Sequence, residues 1–365
     1  MTNTDVLTPG AIADRELIGR LAFGSMAAQT LRAAVRLKVV ELIGDGRRQA
    51  ADVAADAGAA HQPMSRLLRA LAGLGLLREH APDCFSVTSA GTLLDSSRAD
   101  SLTSLVRMFT EPVMIRAWEH LDDSVRTGGI AFDTVFGTDF FSHLAQHPEL
   151  SAVFNAAMSQ AVTETAAVLP YAFDFGRFTT VTDVGGGDGT LLAAVLDAHP
   201  GVTGVVYDTV EGLAQTRRTL ERRGLAKRCS VTAGNFFRSV PEGSDLYLIK
   251  SVLHDWADDR AVTILTHCRE VLPPGGRVLI VEPVLPEVVA SSTGSEDRVG
   301  SHAADNGVTY LSDLNMLVNV GGRERTRKEF ADLCHRAGLS LICVTPLAEA
   351  APYSLIEAGA PQPQP

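Results

Sequence analysis

The chain has 365 residues, of which 45% are hydrophobic and 21% charged, a composition typical of globular proteins and a length that fits one large and one smaller domain. Its net charge of −11 and isoelectric point near 5.4 disfavour binding to nucleic-acid backbones or anionic membranes. The five cysteines show no CxxC spacing, and the first ten residues lack a basic segment followed by an apolar one, so we expect reduced, mostly buried cysteines, no metal and a cytoplasmic location.

The first hundred residues predict a small helical domain. Apolar residues recur at helical spacing over 14–43 on more than one side, which indicates a helix with several neighbours. Residues 50–57 and 64–73 predict two more helices, and residues 78–87 predict a hairpin. Three helices followed by a hairpin form a winged-helix pattern, which often binds DNA. The recognition helix would carry only Arg66 and Arg69, so a transcription regulator is the less favoured interpretation.

Residues 101–170 predict a connecting region of pocket helices. Helices are expected over 102–130 and 148–169, with aromatic and methionine side chains that are more often core than ligand contacts. His143 and His147 have i,i+4 spacing but lack the glutamate of a metalloprotease helix, so we expect no metal there.

From Phe178 onward, strands and helices alternate. Strands are predicted over 178–184, 202–207, 229–232, 246–250 and 277–282, with helices over 190–199, 211–224 and 258–272. A helix over 326–337 and a hairpin of strands 339–346 and 353–358 complete a domain of residues 171–358. This alternation predicts an α/β fold with a doubly wound, mostly parallel sheet, which binds ligands at the carboxyl ends of its strands.

Two polar segments have little apolar surface to bury. Residues 287–309 are rich in Ser, Gly, Asp and Glu and predict a mobile surface loop. Residues 359–365 predict a disordered tail.

The first strand of the alternating region ends in a glycine-rich turn. Gly185, Gly186 and Gly187 follow the strand, and an apolar helix begins after Gly189. Glycine leaves bare backbone for a ligand, and a helix N-terminus presents unpaired N–H groups. Asp208 ends the next strand, 19 residues after Gly189, where a carboxylate can accept hydrogen bonds from both ribose hydroxyls. Because the GxGxxG pyrophosphate pattern is missing, we predict an adenosine cofactor without a pyrophosphate.

A turn after the third strand offers a second candidate contact. Asn235 can hydrogen-bond the edge of an adenine, and Phe236 can lie against its face. An asparagine in a turn beside a core phenylalanine is an equally weighted interpretation.

A histidine follows the strand that Lys250 ends. His254 is suited to proton transfer because its unperturbed pKa lies near neutrality. Glu282, at the end of the fifth strand, and Glu324, ahead of a helix, are both candidates for the acid that holds its imidazole in the right tautomer.

Five segments, residues 183–190, 253–256, 272–277, 282–283 and 321–326, resemble in this order the signature of the S-adenosylmethionine-dependent O-methyltransferases of the caffeic-acid type. Bacterial members of that family tailor polyketides and other aromatic natural products, and the resemblance extends over nearly the whole chain. It implies a Rossmann-like class I methyltransferase domain, S-adenosylmethionine as cofactor with S-adenosylhomocysteine as product, and no metal. It also implies that residues 1–100 form a homodimerisation domain, which further weakens the DNA-binding alternative.

The resemblance also implies roles for single residues. His254 would be the general base, flanked by Glu282 and Glu324 and supported by Asp255. The implied cofactor-binding residues are Asp183, Gly185, Gly186, Gly187, Asp208, Asn235, Phe236, Lys250 and Trp256. Met158 and Met316 would confine the substrate ring. The family commonly has an aspartate at position 235, so Asn235 would make the adenine contact without a charge.

We therefore expect a homodimeric O-methyltransferase that methylates a hydroxyl of an aromatic or polyketide-type small molecule. One alternative is a cofactor-binding relative that has drifted to hydroxylation or rearrangement. A winged-helix transcription regulator is the third.

Overall fold

The computed structural model describes residues 9–289 and 307–361 of the chain, which divides into two units between Pro112 and Val113. The helices of the first unit are α1 (Pro9–Ala22), α2 (Gly24–Arg36), α3 (Val39–Ile43), α4 (Ala50–Asp56), α5 (His61–Gly73), α6 (Ser89–Thr92) and α7 (Thr103–Phe109). Its strands are β1 (Arg48–Gln49), β2 (Leu77–Ala81) and β3 (Cys84–Val87), which form an antiparallel sheet in the order β1-β3-β2.

The predicted hairpin and the two helices before it are confirmed, but the predicted helix over 14–43 is wrong as a single element. Phe23 separates α1 from α2, and Lys38 takes a left-handed conformation with φ 53° before α3. This kink lets Val39 and Ile43 reach the core of the first unit.

Short helices lead into the sheet of the second unit. They are α8 (Pro112–Trp118), α9 (Leu121–Thr127), α10 (Ala131–Phe136), α11 (Phe140–Gln146), α12 (Pro148–Ala161) and α13 (Thr163–Ala172). The prediction of one helix over 102–130 is wrong, because Pro112 cannot donate a helical hydrogen bond and begins α8, while Gly128 ends α9 with φ 71°. The predicted helix over 148–169 is likewise divided at Val162.

The second unit is built on an eight-stranded sheet. Its strands are β4 (Thr180–Val184), β5 (Thr203–Asp208), β6 (Cys229–Ala233), β7 (Leu246–Lys250), β8 (Arg277–Leu285), β9 (Arg325–Thr326), β10 (Ser340–Pro346) and β11 (Tyr353–Gly359). The strand order is β10-β11-β8-β7-β4-β5-β6, with β9 beside β8, and only the pairings of β11 with β8 and β10 are antiparallel. The predicted doubly wound sheet with a terminal hairpin is confirmed.

Helices cover this sheet on both faces. They are α14 (Thr190–Ala198) and α15 (Thr216–Arg222) on one face and α16 (Asp258–Val271) and α18 (Arg327–Arg336) on the other, while α17 (Val308–Asn319) contacts α9 and α10. Alternate residues of β7 enter different apolar clusters, with Leu246 and Leu248 in one and Tyr247 and Ile249 in the other. This pattern is that of a strand buried on both faces.

The strand order reverses between β4 and β7. From β4 the sheet continues through β5 and β6 on one side and through β7 and β8 on the other. In such sheets the loops after the two central strands open a crevice for ligands. Here those loops are the glycine-rich turn after β4 and the segment with His254 after β7.

Several predicted boundaries differ from the structure, including that of the helix predicted over 211–224, which begins at Thr216 after a 3₁₀ turn, Gly212–Gln215. Glu282 lies inside β8, not at its end, because the strand continues to Leu285 along β9 and β11. The predicted loop over 287–309 falls largely on residues 290–306, which lie outside the described residues, and α17 already begins at Val308. Of the predicted tail, Gly359 belongs to β11 and residues 362–365 lie outside the described residues.

Candidate active site

The glycine-rich turn lies directly against the segment that follows β7. Gly185, Gly187 and Gly189 have φ values of 76°, 53° and 77°, which side chains rarely allow. A Cβ atom on Gly185 would lie 2.5 Å from Cγ2 of Val252. Glycine at 185 is therefore required by both backbone conformation and contact.

Asp183 lies beneath this turn. It is almost fully buried, and a Cβ atom on Gly186 would lie 2.8 Å from its carboxylate. Burial, together with the charges of Asp208 and Asp188, raises the pKa of Asp183 to about 7. Its Oδ2 is buried and has no hydrogen-bond partner among the described residues, so within them the turn has an unsatisfied acceptor at its base.

Asp208 stands at the carboxyl end of β5, as predicted. Its Oδ2 accepts a hydrogen bond from the N–H of Gly187 at 2.9 Å, and its Oδ1 accepts one from the N–H of Thr209 at 2.6 Å. Burial raises its pKa in spite of these hydrogen bonds. The glycine turn and the acid are therefore directly connected.

Asn235 takes part in a local turn, because its Oδ1 accepts a hydrogen bond from the N–H of Phe237 at 2.9 Å. Phe236 meets Phe237 edge-on at 4.8 Å between ring centroids, and Phe237 meets Trp256 at 4.7 Å. The Nε1–H of Trp256 is buried, and no residue in the described part of the chain accepts a hydrogen bond from it. This aromatic cluster joins residues that the sequence placed after different strands.

Lys250 contacts a residue that the sequence analysis missed. Its Nζ donates to the hydroxyl of Tyr353 at 3.0 Å and lies 4.4 Å from the centre of the Tyr353 ring. Burial alone would raise the pKa of Tyr353, but the Lys250 charge, together with hydrogen bonds from Ser251 and Lys250 and the charge of His254, holds that pKa below its usual value. Tyr353 begins β11, and only the sheet register brings it beside the end of β7.

His254 lies on a short 3₁₀ turn, Leu253–Asp255, after β7. Its Nδ1 is 3.0 Å from Oε1 of Glu324, whose side chain is 1% exposed, and its Nε2 is 3.6 Å from Oδ1 of Asp255. Burial disfavours the imidazolium, but Asp255 and Glu324 outweigh it and raise the pKa of His254 well above its usual value. Burial is also the main cause that raises the pKa of Asp255.

The two candidate acids have different partners. Oε1 of Glu282 accepts hydrogen bonds from the backbone N–H groups of Val252, Leu253 and His254 at 3.1, 2.7 and 3.3 Å. Burial raises the pKa of Glu282. Glu324 therefore binds the imidazole, whereas Glu282 holds the backbone of the turn.

Helix α17 supports Glu324 through residues that the sequence analysis did not single out. Ser312 donates to Oε1 of Glu324 at 3.1 Å, and Oδ1 of Asp313 accepts a hydrogen bond from the N–H of Glu324 at 2.8 Å. These residues follow the polar segment, so no apolar pattern marked them. Met316 lies half-buried on the same helix.

Helix α12, which carries Met158, contacts the loops that follow β4 and β5. Ser159 donates to Oδ2 of Asp188 at 2.6 Å, and Asn155 donates to the backbone oxygen of Glu211 at 3.1 Å. Met158 is half-buried. Among residues 9–289 and 307–361, no group of three or more His, Cys, Asp or Glu side chains is arranged to hold a metal ion.

Two family models match the chain. Residues 118–340 match an O-methyltransferase domain, and residues 20–97 match an O-methyltransferase dimerisation domain. Over the part of the chain that is described, no helix has the length and apolar character needed to cross a bilayer.

Similar proteins agree with these models. An O-demethylpuromycin O-methyltransferase from Streptomyces alboniger is 43% identical, over 94% of this chain and 89% of that protein. The structure of a mitomycin 7-O-methyltransferase has a TM-score of 0.85 at 35% identity, with 96% of this chain and 99% of that chain covered. An O-methyltransferase from neocarzinostatin biosynthesis, solved with S-adenosylmethionine and 2-hydroxy-5-methyl naphthoic acid, has a TM-score of 0.75 at 32% identity, with 92% and 96% covered.

Proposed function

This chain belongs to the S-adenosylmethionine-dependent O-methyltransferase family, and on that premise we propose that it methylates a hydroxyl of an aromatic or polyketide-type small molecule with His254 as general base. The observation that carries the base assignment is the 3.0 Å contact between Nδ1 of His254 and Oε1 of Glu324. The substrate class is supported by relatives named for puromycin, mitomycin and naphthoate compounds.

We propose that the glycine-rich turn and Asp208 hold the methionine and ribose portions of the cofactor. Support comes from the bare backbone of Gly185 to Gly187 and from the buried carboxylate beside it. When bound, S-adenosylmethionine supplies a methyl group that its positive sulfur activates. The adenine contacts are assigned to Asn235 and Phe236, because the carbonyl of Asn235 has a second lone pair beyond its local bond.

The cofactor assignment extends to the side chains around the turn. Asp183 lies at the base of the turn, and the positive charge of Lys250 opposes the rise in the pKa of the Asp183 carboxyl. The indole N–H of Trp256, in the aromatic cluster, has no acceptor within residues 9–289 and 307–361. These groups supply both charge and stacking surface for an adenosine ligand.

The proposed proton step follows from the imidazole contacts. A carboxylate only accepts hydrogen bonds, so Glu324 fixes the hydrogen on Nδ1 and leaves Nε2 of the neutral ring as a proton acceptor. The substrate O–H bond breaks, its proton goes to Nε2, and the oxygen becomes a better nucleophile. Asp255 and Glu324 then stabilise the imidazolium. General base catalysis of this kind is typically worth ~10²–10⁴-fold in rate.

Met158 and Met316 are proposed to confine the substrate ring. Support comes from the helices that carry them, because Ser159 of α12 contacts the glycine-rich segment and Ser312 of α17 contacts Glu324. Flexible thioether side chains suit an aromatic surface.

We also propose a homodimer formed through the first unit and a cytoplasmic location. The dimerisation-domain match and the exposed apolar side chains of Ile18, Leu21 and Phe23 support the dimer. All five cysteines are free, which is typical of a reducing compartment.

Replacing the base tests the proposed function. We expect His254→Gln to lower turnover at least about 100-fold, while affinity for S-adenosylhomocysteine stays within about twofold of wild type. Turnover is measured by mass spectrometry on a panel of hydroxylated aromatic compounds, and affinity by calorimetry.

The exposed histidine of α18 provides the matched control. His335→Gln is expected to leave both quantities unchanged. Wild-type turnover in His254→Gln would refute the base assignment. If the wild-type protein binds S-adenosylhomocysteine but methylates no hydroxyl, the alternative of hydroxylation or rearrangement is favoured.

A further inference from the structure

The 3₁₀ turn that carries His254 is bound by two buried side chains, Glu282 at its N–H groups and Arg325 at its carbonyl oxygens. Glu282 accepts hydrogen bonds from N–H groups of this turn, as described above. Arg325 donates to its carbonyl oxygens, from Nη1 to Leu253 O at 2.9 Å and from Nη2 to Trp256 O at 2.7 Å. The two carbonyls bracket His254 and Asp255.

Arg325 is fully buried, and every part of its guanidinium has a partner. Its Nε and Nη2 lie 3.1 and 2.9 Å from Oδ1 of Asp258, and Nη1 also donates to the backbone oxygen of Arg323 at 3.3 Å. A planar guanidinium can bind several acceptors at fixed angles, which a flexible ammonium cannot do. The geometry is therefore specific to arginine.

The segment before Arg325 lies directly on the same turn. Glu324 binds the imidazole, and a Cβ atom on Gly322 would overlap the backbone from His254 to Trp256. His254 and Glu324 thus lie on two chain segments about seventy positions apart in the sequence. The backbones of these segments are in contact at Gly322, and the side chain of Arg325 connects them. A change in the spacing of these segments changes the distance between Nδ1 and Oε1.

We propose that Arg325 is a positioning residue for proton transfer, which fixes the turn of His254 against Glu324 by bridging Leu253 O, Trp256 O and Asp258. This inference rests on the proposed role of His254 as base. Arg325 acts through the backbone and does not touch the reacting atoms.

The neighbouring Arg323 provides a control that distinguishes a positioning role of Arg325 from a general contribution to stability. It pairs with the same Asp258, at 2.9 Å, and with Glu329, at 2.7 Å, but its side chain is 42% exposed and its hydrogen bonds go to these carboxylates and not to the turn. Arg323→Lys therefore changes an arginine on the same aspartate without altering contacts of the turn.

The test compares Arg325→Lys with Arg323→Lys in the full-length protein. We expect Arg325→Lys to lower kcat at least tenfold, with KM for S-adenosylmethionine changed less than twofold, because the ammonium cannot reach both carbonyls and Asp258. Arg323→Lys should keep wild-type kcat.

A titration of His254 by NMR measures the imidazole pKa, which would not change in the variant if Arg325 had a purely structural role. The groups around the imidazole are Asp255, Glu282, Glu324 and, more distantly, Tyr353. Loosening the contact with Glu324 should lower the imidazole pKa in Arg325→Lys but not in Arg323→Lys. Unchanged kcat and imidazole pKa in Arg325→Lys, with only a lower melting temperature, would overturn the inference.

Two further variants keep the outcomes separable. If Arg325→Lys does not fold, Asp258→Asn provides a second test, because it removes the anion that orients the guanidinium. We expect Asp258→Asn to lower both kcat and the imidazole pKa. If neither quantity changes, the positioning role is contradicted. If His254→Gln keeps turnover, the base assignment fails, yet the NMR titration still reports whether Arg325 sets the imidazole environment.

Discussion

At the scale of single residues, the imidazole of His254 is surrounded by more negative than positive groups. Asp255, Glu324 and Glu282 all raise its pKa, and together they exceed the opposite effect of burial. Because we propose neutral imidazole as the proton acceptor, the active fraction should grow as pH rises through this raised pKa. Turnover should consequently be limited by imidazole protonation on the acid side.

The direction of this pKa shift predicts how the rate depends on pH. We expect the acid limb of kcat/KM in the wild-type enzyme to have an apparent pKa above 6.5, the ordinary value for histidine. Glu324→Gln removes a carboxylate that stabilises the imidazolium, so the limb should move to lower pH while the maximal rate falls. The measurement is kcat/KM for the hydroxylated substrate against pH at saturating cofactor.

Asp259→Asn is the control for this profile, because the side chain of Asp259 is 94% exposed and pairs with Arg336 on the surface. Its profile should coincide with that of the wild type. An acid limb that stays in place in Glu324→Gln would show that this carboxylate does not set the imidazole pKa.

At the scale of elements, the site depends on the reversal of strand order between β4 and β7. The turn after β4 supplies Gly185, and the segment after β7 supplies Val252 and His254, so their meeting is a consequence of sheet topology. The contact between Gly185 and Val252 shows how closely the two loops approach each other. It leaves no room for a side chain at position 185.

Two alanine variants separate this contact from backbone strain. Gly187→Ala should lower the free energy of unfolding by about 1–2 kcal/mol through its left-handed conformation alone, because a Cβ atom there meets open space. Gly185→Ala adds a clash with Val252, so we expect about 2–5 kcal/mol. Urea unfolding followed by tryptophan fluorescence measures this, since Trp118 and Trp256 both lie in the second unit. Equal losses in the two variants would contradict the role of the contact.

Helices and strands were predicted accurately where a single apolar pattern extended over a single helix or strand. The strand over 246–250 was predicted to the residue, and α14, α16 and α18 within one residue at each end. The long helices over 14–43, 102–130 and 148–169 were wrong, because helical periodicity continues across a one-residue break such as Phe23 or Val162. Similarly, Glu282 was placed at a strand end because the extension of β8 depends on pairing with β9 and β11.

At the scale of the whole molecule, the first unit exposes apolar side chains that a monomer would leave in water. Leu21 and Phe23 are 68% and 61% exposed. We expect a homodimer with twice the 38.8 kDa mass of one chain by light scattering, and a monomer for the double variant Leu21→Glu/Phe23→Glu. Tyr171→Glu, at a side chain 82% exposed in the second unit, should remain dimeric. A dimeric double variant would place the interface elsewhere.

By itself the sequence determined the α/β alternation, the terminal hairpin and the glycine turn with its acid, because each depends on local periodicity or on residues within one βα unit. It also indicated His254, although it left Glu282 and Glu324 as equal candidates for its partner. Only the tertiary structure decided that Glu324 binds the imidazole while Glu282 binds backbone N–H groups. The roles of Tyr353, Ser312 and Arg325 likewise came from the structure, because their partners lie on distant strands and helices that only the sheet register and helix packing bring together.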